Sequence, residues 1–155
     1  MGVNEKETQQ FPKSNLCFLG YQVDKIHFEV NKEYKAITKK GVPLLPSFSR
    51  KIAREENGVY QVKLEFKIFP AESDENMPIS LETSITGRFA LQSDDINLVR
   101  HNAVAILFPY LRSLVSFITL NANVAPLVLP IVNTTELFDK SDDEKDVGGK
   151  TDLEQ

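Results

Sequence analysis

Asn57-Gly58-Val59-Tyr60-Gln61-Val62-Lys63-Leu64-Glu65-Phe66-Lys67-Ile68 is the stretch from which the fold can be read. Tyr60, Val62, Leu64, Phe66 and Ile68 alternate with Gln61, Lys63, Glu65 and Lys67. A period of two puts one set on an apolar face of a strand and the other on a polar face. Asn57 and Gly58 both tolerate positive φ, so the pair makes the tight turn of a hairpin. The partner strand then lies just upstream, and Phe48 to Glu56 supplies it with a weaker alternation.

Downstream, the polar loop Glu72 to Asn76 leads into a second half-buried strand. Ile79, Leu81, Ile85, Phe89 and Leu91 share one face, and Ser80, Glu82, Ser84, Thr86 and Arg88 the other. From about Asp95 the period changes to three and four: Ile96, Val99, Ala103, Ile106, Tyr110, Leu114 and Phe117 mark a helix. Asp94 and Asp95 suit its positive end. Pro109 lacks an amide hydrogen and clashes with the preceding turn, which predicts a kink or two abutting helices, the second starting near Leu107. There Leu107, Leu111, Leu114, Val115 and Ile118 widen the stripe until one sheet face no longer covers it, and a second subunit is the natural cover. After Asn121 to Asn123 the chain runs extended through Pro126-Leu127-Val128-Leu129-Pro130-Ile131-Val132. Asn133 and Glu136 resemble a capping box for a short helix carrying Leu137 and Phe138.

Upstream, Leu16 to Val30 reads as extended with a change of phase. Tyr21 and Val23 are apolar at odd positions, whereas Ile26, Phe28 and Val30 are apolar at even ones, so a bulge is expected near Asp24 and Lys25. Lys32 to Pro46, with Gly41, Pro43 and Pro46, suits a long connection with an apolar tip at Val42, Leu44 and Leu45. Residues 1–15 form a flexible arm, 16–138 the single domain, and 139–155 a disordered acidic tail too polar to offset chain entropy.

The 155 residues are 41% apolar and 26% charged, enough for one real core. A net charge of −4 excludes the basic field that phosphate backbones require. No apolar run comes near the roughly 20 residues a bilayer span needs, and Met1 to Pro12 is too polar for a signal peptide, so a cytoplasmic location is expected. Lone Cys17 reads as a small core residue. His27 and His101 belong to no metal-spaced cluster, Gly87 has no partners at phosphate-loop spacing, and no nucleophile signature is present. No cofactor, metal or catalytic site is implied. Glu29 and Glu82 sit on polar strand faces, by default solvated. The surplus of apolar residues at Leu127 to Val132 and Val42 to Phe48 is either core filling with oligomer contact or a groove for a partner chain.

Ile106-Leu107-Phe108-Pro109-Tyr110-Leu111-Arg112, then Pro126-Leu127-Val128-Leu129-Pro130-Ile131-Val132-Asn133 and Leu137-Phe138, resemble the hallmark region of the SecB export chaperones. Similarity extends through Ile26-His27-Phe28-Glu29, Val59-Tyr60 and Gly87-Arg88-Phe89, covering roughly residues 16 to 138. The resemblance implies an α+β fold: a four-stranded antiparallel sheet packed by a long kinked helix and a short C-terminal helix, assembled as a dimer of dimers. It implies an ATP-independent holdase, not an enzyme, that binds unfolded preproteins for the SecA translocation motor. Client-binding positions would be Leu44, Leu45, Phe48, Leu127, Leu129, Leu137 and Phe138. SecA would dock on Glu29 and Glu82, and the homotetramer interface would use Leu81, Thr83 and Ile85.

Departures mark a divergent member. The turn after the helix is Asn121-Ala122-Asn123-Val124, with no glycine, and Lys25 stands where the family's pattern has a third carboxylate. They leave room for a SecB-like chaperone dedicated to another client, such as an antitoxin or a phage protein. A different class of function is a small-ligand-binding α+β domain using His27 or His101.

Overall fold

The structure, a computed structural model, describes residues 14–35, 46–68, 77–131 and 133–139. The expected arm and acidic tail lie outside these residues apart from their inner ends, as does the tip carrying Leu44 and Leu45. Four strands, β1 (Leu16–Val30), β2 (Ser47–Arg54), β3 (Val59–Ile68) and β4 (Ile79–Leu91), form one antiparallel sheet in the order β1-β4-β3-β2. β1 and β2 are consecutive in sequence yet lie at opposite edges.

The hairpin turn forms as its residues dictate. Asn57 and Gly58 have φ of 60° and 71°, and β2 then pairs with β3 so that Phe48, Arg50 and Ile52 face Phe66, Leu64 and Val62. β1 carries the expected irregularity between Val23 and Lys25 and a second one between Phe18 and Gly20. Gly20 has φ 128°, a conformation that explains a glycine at this bulge. At the other bulge the Thr83 hydroxyl donates to the Lys25 carbonyl at 2.9 Å, and Asp24 accepts from the Gln22 amide and the Thr86 hydroxyl. The bulge thereby restores the phase, so Tyr21 and Val23 share a face with Ile26, Phe28 and Val30.

One helical run crosses the inner face of the sheet. It begins as a π-helical turn, Leu98–Ala103, and continues as α1, Val104–Asn121. The break therefore falls between Ala103 and Val104 rather than near Leu107, and Pro109 lies inside α1. Pro109 and Ala105, whose carbonyl loses its partner, are both exposed, so water can satisfy the orphaned group and the helix survives. Val99, Ala103, Leu107, Leu111 and Val115 are buried against Val62, Leu64, Phe66, Leu81, Ile85 and Phe89. Gly87 lets the helix approach: a Cβ there would lie 2.9 Å from Phe89 and 3.0 Å from Leu107.

The run from Leu98 to Asn121 has 24 residues and is long and apolar enough by composition to cross a bilayer, against the sequence expectation. Its apolar character has a different origin. One stripe lies on the sheet, and a second, Ile106, Tyr110, Phe117 and Leu120, remains exposed. After α1 an extended segment leads to α2, Thr134–Asp139, which packs on β2 and α1. Asn133 caps α2 by accepting from the Thr135 amide at 3.2 Å.

Candidate client and partner surfaces

The candidate client surface is built from β2, α1 and the segment between α1 and α2. Phe48 is partly buried, its ring 5.1 Å from Phe66 and 5.9 Å from Phe108. Two residues on, Arg50 lies on the same inner face, with its guanidinium 5.4 Å above the Phe138 ring. Its Nη1 donates to the carbonyl of Arg100 in the π-helical turn. The extended segment is held by two helix hydroxyls. Thr119 accepts from the Leu127 amide at 2.9 Å, and Ser116 donates to the Leu127 carbonyl at 3.0 Å. Thr119 is wholly buried, which shows how this polar side chain is satisfied.

Of the expected client-binding residues, Phe48, Leu127 and Leu137 are partly buried and pack against the core. Leu129 and Phe138 are buried in the subunit's own core. Val128 and Ile131 carry the exposed apolar surface instead, Ile131 at 87%. Pro126 and Pro130, which flank Val128 and precede Ile131, were the available signal, since an apolar segment unable to form helix or a ladder leaves alternate side chains uncovered.

Leu81, Thr83 and Ile85, the expected homotetramer interface, are fully buried within the single subunit. The alternation that marked them is the signature of the inner face, and it does not distinguish burial by a helix from burial by a partner. The uncovered apolar surface lies on β1: Tyr21, Val23, Ile26 and Val30 are each more than two-fifths exposed. They share the inner face with β4, but the helix leaves this edge partly uncovered. Tyr21 stacks on Tyr110 at 4.5 Å and Phe18 on Tyr110 at 5.7 Å, which joins the strand's strip to the exposed stripe of α1.

The outer face of the sheet is polar and carries Glu29 and Glu82. Glu29 is exposed and 3.5 Å from His27 Nε2. Glu82 is largely covered, with Lys25 Nζ at 3.0 Å and Lys67 Nζ at 3.3 Å. The Lys25 hydrogen bond, assisted by Lys67 and opposed by burial, holds its carboxyl below the usual range. Lys67, between Glu65 and Glu82, is correspondingly raised. The two expected docking carboxylates therefore share a face, but one is already neutralised. Nearer the hairpin, Arg88 donates two hydrogen bonds to Glu55, at 3.1 and 2.7 Å, and Gln61 donates a third. A shallow hollow of about 310 Å³ lies beside them, lined by Leu19, Gly20, Gln22 and Arg88 among others. His27 and His101 occupy separate elements, β1 and the π-helical turn.

The family model "Preprotein translocase subunit SecB" matches residues 12–145. The chain belongs to the SecB family. Among curated proteins, an uncharacterised protein of Methanocaldococcus jannaschii is 31% identical over 141 residues, 87% of this chain and 90% of that one. The protein-export protein SecB of Magnetococcus marinus is 29% identical over 99 residues, 61% of this chain and 63% of that one. The fold is shared with the SecB-like chaperone of Mycobacterium tuberculosis, solved with a ChAD peptide from an antitoxin: TM-score 0.60, 14% identity, 76% of this chain and 90% of that chain. Against that SecB pattern this member is divergent. Its outer face carries Lys25 against Glu82.

Proposed function

We propose that this SecB-family protein is an ATP-independent, cytoplasmic holdase that binds unfolded proteins and works as a homotetramer. The observation that supports it is the apolar surface one subunit leaves uncovered: the β1 strip, the α1 stripe, Val128 and Ile131. A stable soluble domain does not expose so much large apolar surface unless something covers it. A second subunit covers the β1 strip and the α1 stripe in this reading, which gives the assembly its seam. An unfolded client takes the groove bordered by Phe48, Leu127 and Leu137, with Leu44 and Leu45 as further contacts.

Each apolar client side chain buried contributes about 1.5–3 kcal/mol, and ordering an unfolded chain costs several kcal/mol in return. A single groove therefore binds weakly, and a long client gains by touching several subunits at once. The test is suppression of aggregation of a denatured, slowly refolding substrate without nucleotide, with an unfolded chain of about a hundred residues binding far more tightly than a short peptide. Equal affinity for both, or no protection of any unfolded substrate, would refute the holdase reading.

Unfolded preproteins delivered to SecA are the first client class, with Glu29 and Glu82 as the docking carboxylates. A second class, an antitoxin-like or phage client, is favoured by the pairing of Glu82 with Lys25 and Lys67, which removes negative charge from the docking face. Binding of SecA to the purified protein separates the two.

A further inference from the structure

We propose that the outer face of the sheet carries a docking site for an acidic segment of a partner protein, centred on Lys51 and Lys63. The proposal goes beyond the chaperone reading and does not rest on it.

Lys51 on β2 and Lys63 on β3 are Cα partners in the antiparallel register, so both side chains leave the sheet on the same side. Directly opposed positions hold their Cβ atoms about 4.5–5.5 Å apart, and like charges placed there destabilise the pair of strands. Lys51 is exposed and Lys63 half-buried. The register sets Lys63 beside Thr86 of β4, on the face that also carries Glu82.

Elsewhere on this face the cations of the strands have met anions. Lys25 and Lys67 pair with Glu82, Lys67 also with Glu65, and Arg88 with Glu55. Among the described residues no carboxylate pairs with Lys51 or Lys63. The polar groups around them are committed: Glu65 to Lys67 at 2.9 Å, Gln61 to Glu55, and the Thr86 hydroxyl to Asp24. A carboxylate arriving from outside is what neutralises the two ammonium groups.

A lysine on an edge strand guards it against pairing with another chain, and that accounts for Lys51, since β2 is an edge of the sheet. It does not account for Lys63, which lies one strand in. A glutamate there would pair with Lys51 as Glu82 pairs with Lys25. In a chain of net charge −4, the two opposed cations make a local positive point rather than a general field. The matching chemistry is two or more Asp or Glu side chains on an extended protein segment. A nucleic-acid backbone matches less well, because its continuous negative charge would also meet Glu65 on the same strand and Glu82 on the next.

Fluorescence anisotropy of the full-length protein with a short labelled peptide of alternating Glu and Ser, against its Gln counterpart, tests the site. Wild type should bind the Glu peptide roughly three- to tenfold more tightly at low salt, as two exposed ion pairs allow. The preference should vanish when salt screens it. Lys51→Gln combined with Lys63→Gln should abolish the preference, and Lys32→Gln, at an exposed lysine just beyond β1, should leave it intact. No preference in wild type, a preference that survives the double substitution, or an equal loss in Lys32→Gln would overturn the proposal. A single-stranded oligothymidylate that binds more tightly than the Glu peptide, and is lost with the same double substitution, would overturn the protein partner in favour of nucleic acid. Urea midpoints of the two single variants and the double test the opposed pair without a ligand. The double substitution should gain less stability than the two single changes added together, the mark of a repulsive pair. Additive changes, or a double that gains more, would overturn the basis of the site. Should the double variant fail to fold, Lys51→Gln alone decides: a reduced preference for the Glu peptide is expected, and an unchanged one would overturn the site.

Discussion

Lys25 Nζ lies 3.0 Å from Glu82 Oε1, an ion pair between neighbouring strands β1 and β4 on the outer face of the sheet. A basic partner arriving at this face has to displace Lys25 before it can use Glu82, whereas Glu29 stays accessible. Lys25→Glu should therefore strengthen SecA association, and Glu29→Lys should weaken it, with protection of unfolded substrates unchanged in both. Isothermal titration of SecA into each variant provides the check. Equal affinity across wild type, Lys25→Glu and Glu29→Lys would remove this face from the docking reading.

The charge pairs also set the acid limb of stability. Glu55 is held below the usual carboxyl range, mainly by its hydrogen bond from Arg88 and then by that from Gln61, and Glu82 chiefly by Lys25. Groups depressed in the folded state stabilise it fully above their unfolded value, about 4.3. That contribution is lost as pH falls through the folded values. Denaturant midpoints should accordingly drop on acidification below about pH 4, and Glu55→Gln should flatten that drop. Lys67 is raised, with the Glu65 hydrogen bond as its largest cause. Its contribution is present below about 10.4 and lost as pH climbs past the folded value.

Val23 and Ile26 on β1 separate assembly from folding. With both exposed in the single subunit, Val23→Asp combined with Ile26→Asp should yield a folded monomer by light scattering, with unchanged circular dichroism. Ile85→Asp puts an unpaired charge into the core instead, at a cost of about 3–5 kcal/mol, and should unfold the chain. A tetramer that survives the double substitution would move the seam off β1.

Gly87 tests the close approach of helix and sheet. The added methyl of Gly87→Ala meets Phe89 and Leu107 at or within 3.0 Å, and overpacking of that kind costs about 1–3 kcal/mol. Chemical denaturation should show a lowered midpoint with unchanged slope, and Gly87→Val should be worse.

Where short-range patterns carry the information, the sequence was legible. Alternation located β3 and β4, Asn57-Gly58 located the hairpin, and the loss of phase near Asp24 located a bulge. The second bulge at Gly20 escaped because Phe18, Leu19 and Tyr21 present no clean change of phase to either side of it. The break in the helical run was misplaced toward Pro109 because the cost of a proline depends on whether the orphaned carbonyl meets water. That depends on which side of the helix faces out.

The sequence by itself determined which residues are apolar, which strand and helix periods they follow, and hence the α+β architecture, since these are properties of neighbours along the chain. Only the tertiary structure decided what covers each apolar face. Leu81, Ile85, Leu129 and Phe138 went under the chain's own helix or into its own groove, while Tyr21, Val23, Ile26 and Ile131 were left open. Hydrophobic burial is non-directional, so a one-dimensional pattern says that a side chain seeks cover. How much of β1 the helical run covers decides whether that cover is the same chain or another.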